Sequence, residues 1–285
     1  MFDLLLTPFS YPLDPTKRLF WGFLLSSLVV ACVAACLSAN SAAIKGQIVS
    51  LFRWRYWVNQ SVGTDIGLLF VNNAIRLIVL VPVVGVKLAG AIAVTAFFQA
   101  TFGDVPLINV HWLLVGLVYS ICFFIVEDVS RFYLHYFSHI KPWLWRFHKV
   151  HHSATVLNPL TIHRVHPVEM VLYFFRGFVV FSVVGGVFLY FFRGQVHGLD
   201  ILGVEMFGFL FNVLGSNLRH TPVWISFGKM ERIFISPAQH QIHHSCDTKH
   251  HDKNMGTCLA LWDRLMGSWV ASKEEIVTSY GLTRP

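Results

Sequence analysis

With 285 residues, 55% of them apolar, a mean hydropathy of +0.58 and only 13% charged side chains, the chain is too apolar for a soluble globular protein, in which about a quarter of residues are charged. Its net charge of +7 comes from basic residues scattered in loops between apolar runs. That pattern excludes a nucleic-acid stripe and points to anionic lipid headgroups at a membrane surface.

The N-terminal segment MFDLLLTPFSYPLDPTKRLF sets Lys17 and Arg18 directly ahead of a long apolar stretch, with no small-residue cleavage pattern after it; the expectation is a retained anchor. Apolar runs follow at 19–39, 64–83, 85–101, 111–126, 170–192 and 198–215, several near the ~20 residues that cross a hydrocarbon core. Pro82 and Gly85 mark either the bend of a hairpin or the end of one crossing before an interfacial piece, so five or six crossings are expected. From His111 no helix breaker occurs before Lys141-Pro142. A helix of that length, ~43 Å at 1.5 Å per residue, overshoots the membrane and carries its last turns into water.

Two polar segments, 127–169 and 216–285, hold almost every histidine and must share one face. The first contains Arg131, Lys141, Arg146, Lys149 and Arg164, whereas the 102–110 loop has no Lys or Arg, so the positive-inside rule puts that face in the cytoplasm. The 40–63 loop, with Lys45, Arg53 and Arg55, fits five crossings better than six. The 26 Phe, nine Trp and eight Tyr suit lipid-facing and interfacial positions. Five cysteines without a CxxC pair give neither a disulfide framework nor a thiolate metal site. No repeat, low-complexity tract or Gly/Ser linker divides the chain. The expected fold is all-α, an integral, multi-pass membrane helical bundle with a cytoplasmic histidine-rich helical cap, in which 1–110 is an N-terminal membrane region and 111–285 bears the histidines.

Nine of the fifteen histidines fall in four places: HYFSH (His135, His139), HKVHH (His148, His151, His152), His220, and HQIHH (His240, His243, His244). On a helix, positions i, i+3 and i+4 share a face, so HxxHH presents three imidazoles together and HxxxH two. Imidazole suits iron, copper, nickel and zinc, and four ligands saturate a tetrahedral zinc, so eight or nine require two metal ions. His111 and His197 stand alone and read as structural; His250 and His251 lie in a polar loop. Glu127, Asp128 and Arg131 are charges just inside an apolar helix end, where ionisable groups mark functional sites. Asp128 either pairs with Arg131 at i+3 or orients an imidazole, and the second reading is favoured. Arg76, Asn72 and Asn73 either line a polar cavity or reach to the interface.

From about Glu127 to Trp269 the segments EDVSRFYLHYFSH, KPWLWRFHKVHHS, HRVHPVE, SNLRH, ISPAQHQIHHS and DKNMGTCLALWDRLMGS together resemble the fatty acid hydroxylase and sterol desaturase superfamily of membrane di-iron enzymes. The resemblance implies that 111–285 is a di-iron domain and that His135, His139, His148, His151, His152, His240, His243 and His244 bind two iron ions. His220 looks like the family's isolated ligand. Some relatives carry another histidine four residues earlier, where this chain has Ser216. His163 and His166 resemble a histidine-proline element of sterol-acting members, and His166 is either the replacement ligand or a residue behind the ligands. Asp252, Asn254, Trp262 and Asp263 read as packing of the cap.

The implied activity is oxygen-dependent hydroxylation or desaturation of a lipid (sterol, fatty acyl or related), with O2 as co-substrate. Ether cleavage is a third outcome within the superfamily. Electrons must come from a reductase, ferredoxin or small haem cytochrome, because the sequence carries no GxGxxG, no CxxCH and no cysteine set for an iron–sulfur cluster. A histidine-rich metal transporter is the main competing reading, but transporter ligands lie at the midplane on broken helices, and here the histidines follow the apolar runs. A membrane cytochrome would pair histidines on spanning helices, which does not call for two HxxHH triplets.

Overall fold

Breaker-free apolar residues form α1 (Trp21–Leu37), and the stretch read as a loop folds instead into α2 (Ser41–Ser50) and the short α3 (Trp54–Trp57). The computed structural model describes residues 6–38, 40–80, 86–105, 108–196, 198–201, 204–273, 275 and 277–282. Asn59 caps α4 (Gln60–Ile75) by accepting from the Val62 amide at 3.0 Å, satisfying one of the donors that a helix start leaves free. Pro82 and Gly85 lie outside the described residues, so the bend expected there is untested. Beyond them come α5 (Val86–Phe102), α6 (Trp112–Ile140), α7 (Pro142–His152) and α8 (Pro167–Phe192).

The 29 residues of α6 and 26 of α8 are long and apolar enough to cross a membrane, whereas α1 and α5 have 17 each. These helices fit a membrane helical bundle. The run 198–215 is not a crossing. Asp200–Ile201 (β1) and Val204–Glu205 (β2) form a two-residue antiparallel pair, Glu205 caps α9 (Met206–Val213), and Gly215 with φ of 90° turns the chain away. Two acidic residues in that run favour capping and turning over a continuous apolar helix.

Helices α5 and α8 touch through small residues, as membrane helices do when backbones approach closely. Thr95 Oγ1 donates to the Gly186 carbonyl at 3.0 Å, and a Cβ on Gly186 would lie 2.7 Å from the Ala91 carbonyl oxygen. Val115 of α6 packs on Val180, Val184 and Phe188 of α8, and Glu127 of α6 binds Arg176 of α8 at 2.6 Å. Ala31 and Ala35 of α1 pack with Ile44, Leu218, Val223 and Ile225, docking the N-terminal helix on the histidine cap.

The cap is built from short pieces, chiefly the 3-10 turn Ser216–His220, α10 (Pro237–His243) and α11 (Leu261–Met266). Buried carboxylates tie these together. Glu231 accepts from Ser226, Ser236 and Ser272, and Asp263 accepts from the amides of Met255 and Gly256.

Candidate metal centre

The last turns of α6 deliver His135 and His139 on one face, and Pro142, whose fixed φ suits a first helical position, opens α7 with His148, His151 and His152. A capping box starts α10. Ser236 accepts from the Gln239 amide, and Gln239 Oε1 accepts from the Ser236 amide, each at 3.1 Å. That start aims His240, His243 and His244 at the other boxes, while the Ser216–His220 turn supplies His220.

All nine histidines of the boxes come together in two groups: His135, His139, His148, His152 and His243, and then His151, His220, His240 and His244. Within each group the candidate ligand atoms lie within 4.8 Å of one another. The groups adjoin, since the rings of His152 and His244 stack at 4.7 Å and His151 meets His244 at the same distance.

The outward nitrogens decide what the inward ones can do. His135 Nδ1 lies 2.7 Å from the Met255 carbonyl, His243 Nδ1 2.8 Å from that of Lys253, and His151 Nδ1 3.3 Å from that of Arg164. A carbonyl only accepts, so each Nδ1 donates its proton and each Nε2 keeps a lone pair. Glu169 accepts from His148 Nδ1 at 2.7 Å and Asp252 from His139 Nδ1 at 3.0 Å, with the same result. These lone pairs converge. The Nε2 atoms of His135 and His148 are 3.0 Å apart, and those of His148 and His152 are 3.1 Å apart. Those of His139 and His243 are buried with no hydrogen-bond partner among the described residues. Facing lone pairs repel unless a cation sits between them, and two imidazole nitrogens ~2.1 Å from one ion at a right angle lie about 3 Å apart. The donor set therefore fits a transition-metal ion in each group.

His240 differs. Arg219 donates to its Nδ1 at 2.8 Å, and a guanidinium only donates, so neutral His240 carries its proton on Nε2, 3.0 Å from His220 and 3.2 Å from His244. An ion held at His240 Nε2 would require that proton to leave Nε2, so His240 is the one ring of the nine whose hydrogen bonds oppose a ligand role. Arg219 also donates to the Gly256 and Thr257 carbonyls.

Burial first, and the neighbouring imidazoles second, push His148, His152, His220, His243 and His244 well below the ordinary histidine range; for His240 burial is followed by Arg219. All are neutral at pH 7, as ligands must be. Burial and then Arg18 and Arg76 bring His163 down to about 4. Between pH 6.5 and about 4 the unfolded chain binds that proton and the folded chain does not, so stability falls as pH falls through this window. Chelator-treated protein in detergent is expected to show a lower thermal midpoint at pH 5.5 than at pH 7.5, with the difference reduced by His163→Gln. An equal or higher midpoint at pH 5.5 would contradict this.

The expectation for Asp128 needs correction. Asp128 neither pairs with Arg131 nor touches an imidazole; it accepts from the amides of Cys258 and Leu259 and from Trp262 Nε1 at 2.9–3.1 Å. Its neighbour Glu127 takes Arg131 and Arg176. Two adjacent helical residues face different ways, and only Asp128 points at the returning C-terminal segment. His166 lies outside both groups, with Nδ1 capping α8 by accepting from the Val168 amide at 3.1 Å. Ser216 is buried and donates to Asn212 Oδ1. His163 leaves its Nε2 buried without a partner among the described residues. His111 caps α6, His250 meets Glu275 at 2.9 Å, and His251 stands outside both groups; His197 lies outside the described residues. Asn72 donates to the carbonyls of His163 and Val165 and, with Arg76, lines a cavity beside the histidines, while Asn73 meets Tyr11.

Glu169, Asp252 and Arg219, which sit behind the imidazoles, were not singled out in that role from the sequence. Glu169 had a usable signal, an acid in the first turn of an apolar helix. Asp252, held at φ of 56°, and the backbone carbonyls had none. Glu169→Ala is expected to weaken metal binding by about 10- to 100-fold, read by titrating metal into chelator-treated protein. Unchanged affinity would show that Glu169 does not hold His148.

The fatty acid hydroxylase family profile matches residues 120–268. The chain is 28% identical over 179 residues to alkylglycerol monooxygenase of Homo sapiens, covering 63% of this chain and 36% of that protein. It is 28% identical over 162 residues to alkylglycerol monooxygenase of Danio rerio, 57% of this chain and 32% of that one. It is 24% identical over 163 residues to ornithine lipid hydroxylase OlsE of Rhizobium tropici, 56% of this chain and 44% of that one. The chain thus spans under half the length of these curated relatives. No solved structure matches it.

Proposed function

Because this chain belongs to the fatty acid hydroxylase family, we propose that it is a membrane-bound, oxygen-dependent non-haem di-iron oxidoreductase that hydroxylates a lipid. The observation that carries the reading is the pair of adjoining histidine groups, in which His135, His139, His148, His151 and His243 turn a lone pair inward. One iron would be held by His135, His139, His148, His152 and His243, the other by His151, His220, His240 and His244. When bound, such a pair supplies the oxygen-activating redox chemistry that breaks an unactivated C–H bond.

The chain's own residues do the rest. Glu169, Asp252 and the carbonyls of Met255, Lys253 and Arg164 fix the imidazole rings. A cavity of about 670 Å³, lined in part by Phe123, Met170, Phe174 and Phe181, reaches His135, His148, His151, His220 and His240 and can hold a lipid chain beside them with bulk water displaced. A second cavity of about 620 Å³ opens on His139, His152 and His243 past Trp145, Arg146 and Lys149. We place this histidine face in the cytoplasm of a multi-pass protein, with electrons arriving from a separate reductase, ferredoxin or small haem cytochrome. The names of the relatives, monooxygenase and hydroxylase, favour oxygen insertion over desaturation.

Lipid mass spectrometry of cells with and without the protein tests this reading. Lipids heavier by one oxygen atom, or the aldehyde left when such a product breaks at an ether carbon, are expected. Products lighter by two hydrogens would replace hydroxylation with desaturation, and no change in any lipid from protein carrying iron and supplied with electrons would overturn the proposal.

A further inference from the structure

The larger cavity carries more positive charge than its own acids balance. Six basic side chains line it, Arg18, Arg76, Lys87, Arg131, Arg176 and Arg219, against the carboxylates of Glu127 and Glu169. Glu127 is taken by Arg131 and Arg176, and Glu169 accepts from His148. Arg219 is engaged with two carbonyls and His240. Arg18, Arg76 and Lys87 make no ion pair with any described acidic residue.

Arg18 and Lys87 are half-buried against aromatic rings, whereas Arg76 is exposed at the cavity rim. The Arg18 guanidinium lies over the Phe211 ring at 5.6 Å and the Lys87 ammonium over Phe174 at 5.7 Å. Arg18 Nε is buried with no hydrogen-bond partner among the described residues. Burial, and then Arg219 and Arg131, push Arg18 down to about 9, so it is still charged at neutral pH. An unpaired guanidinium held away from water is unfavourable unless an anion meets it. On the same cavity wall are Phe123, Met170, Phe174 and Phe181, which suit hydrocarbon.

We propose that this cavity binds a lipid with an anionic headgroup, a phosphate ester or carboxylate gripped by Arg18, Arg76 and Lys87, with its hydrocarbon laid along the aromatic side chains toward the histidines. Arginine forks match such oxyanions in two-point geometry. The proposal rests on the lipid-oxidising reading for what becomes of the lipid, but headgroup binding requires neither iron nor turnover.

The test uses the purified full chain in neutral detergent, titrated with dioleoyl phosphatidic acid, oleate, dioleoylphosphatidylcholine, dioleoylglycerol and inorganic phosphate. Phosphatidic acid or oleate should bind at least about tenfold more tightly than dioleoylglycerol, a difference set by one charge-assisted contact. Whichever of the two binds more tightly identifies the headgroup as phosphate or carboxylate. The preference should collapse in Arg18→Gln/Arg76→Gln. It should fall in Arg76→Gln alone, where the exposed side chain makes misfolding a poor explanation. It should survive in Lys45→Gln/Arg53→Gln, which removes exposed charges outside the cavity.

Equal binding of charged and neutral lipids, a preference that survives the cavity variants, or one lost equally in the Lys45/Arg53 variant would overturn the proposal. So would inorganic phosphate binding as tightly as the lipid. An anionic preference that depends on Arg18 and Arg76 in protein that binds no iron would uphold the headgroup site and refute the oxidising function.

Discussion

His243→Ala is expected to strip the larger histidine group of its ion and abolish turnover while leaving the protein inserted and monodisperse. His243 is buried, its ring meets those of His135, His139 and His152 at 4.6–4.8 Å, and its Nδ1 is held by the Lys253 carbonyl. Loss of an outer partner alone lowers metal affinity by about 10- to 100-fold, so loss of the ligand itself should exceed about a hundredfold. Elemental analysis of the purified variant should return one ion fewer per chain than the parent, together with lost product. Full metal content with activity retained would remove His243 from the ligand set.

Asp65→Ala should produce the largest loss of stability. Asp65 is fully buried in α4 and pairs with Arg164 at 3.0 Å while accepting from Asn158 at 2.7 Å and Thr161 at 3.1 Å. Removing one partner of a buried ion pair leaves an uncompensated charge and costs roughly 3–5 kcal/mol. The Arg164 backbone carbonyl also holds His151 Nδ1, so the damage should spread to the smaller histidine group. Denaturant or thermal unfolding in detergent measures the loss, and Asp65→Ala/Arg164→Met should recover part of it because the stranded charge is gone. A single variant within about 1 kcal/mol of the parent would contradict this account of the pair.

The histidine boxes were legible because their information is local. Spacing of three and four on a helix puts imidazoles on one face whatever the rest of the chain does; the eight so identified converge, joined by His220, which only the family resemblance singled out as a ligand. The unbroken length of α6 was legible for a similar reason, since nothing between His111 and Pro142 stops a helix. What orients the rings was not. Met255 and Lys253 act through backbone carbonyls, which leave no mark in a residue type, and Asp252 reaches His139 across more than a hundred residues of chain.

Asp128 shows the limit from the other side. A charge inside an apolar helix end reads as orienting an imidazole, but its partners are amides about 130 positions away and the Trp262 ring, and a local i, i+3 rule cannot find them. Asp65 was hidden inside a run counted as a membrane crossing, where hydropathy averaging concealed the acid that pairs with Arg164. The 198–215 run misled in the same way, since its apolar average concealed two acids and a left-handed glycine.

The central claim is that two histidine groups hold two iron ions. Iron quantified per chain in full-length protein purified anaerobically from iron-replete cells tests it most directly. Two irons per chain are predicted, falling toward one in His243→Ala; one metal ion or fewer in fully loaded parent protein, or a full complement of zinc with no iron, would contradict it.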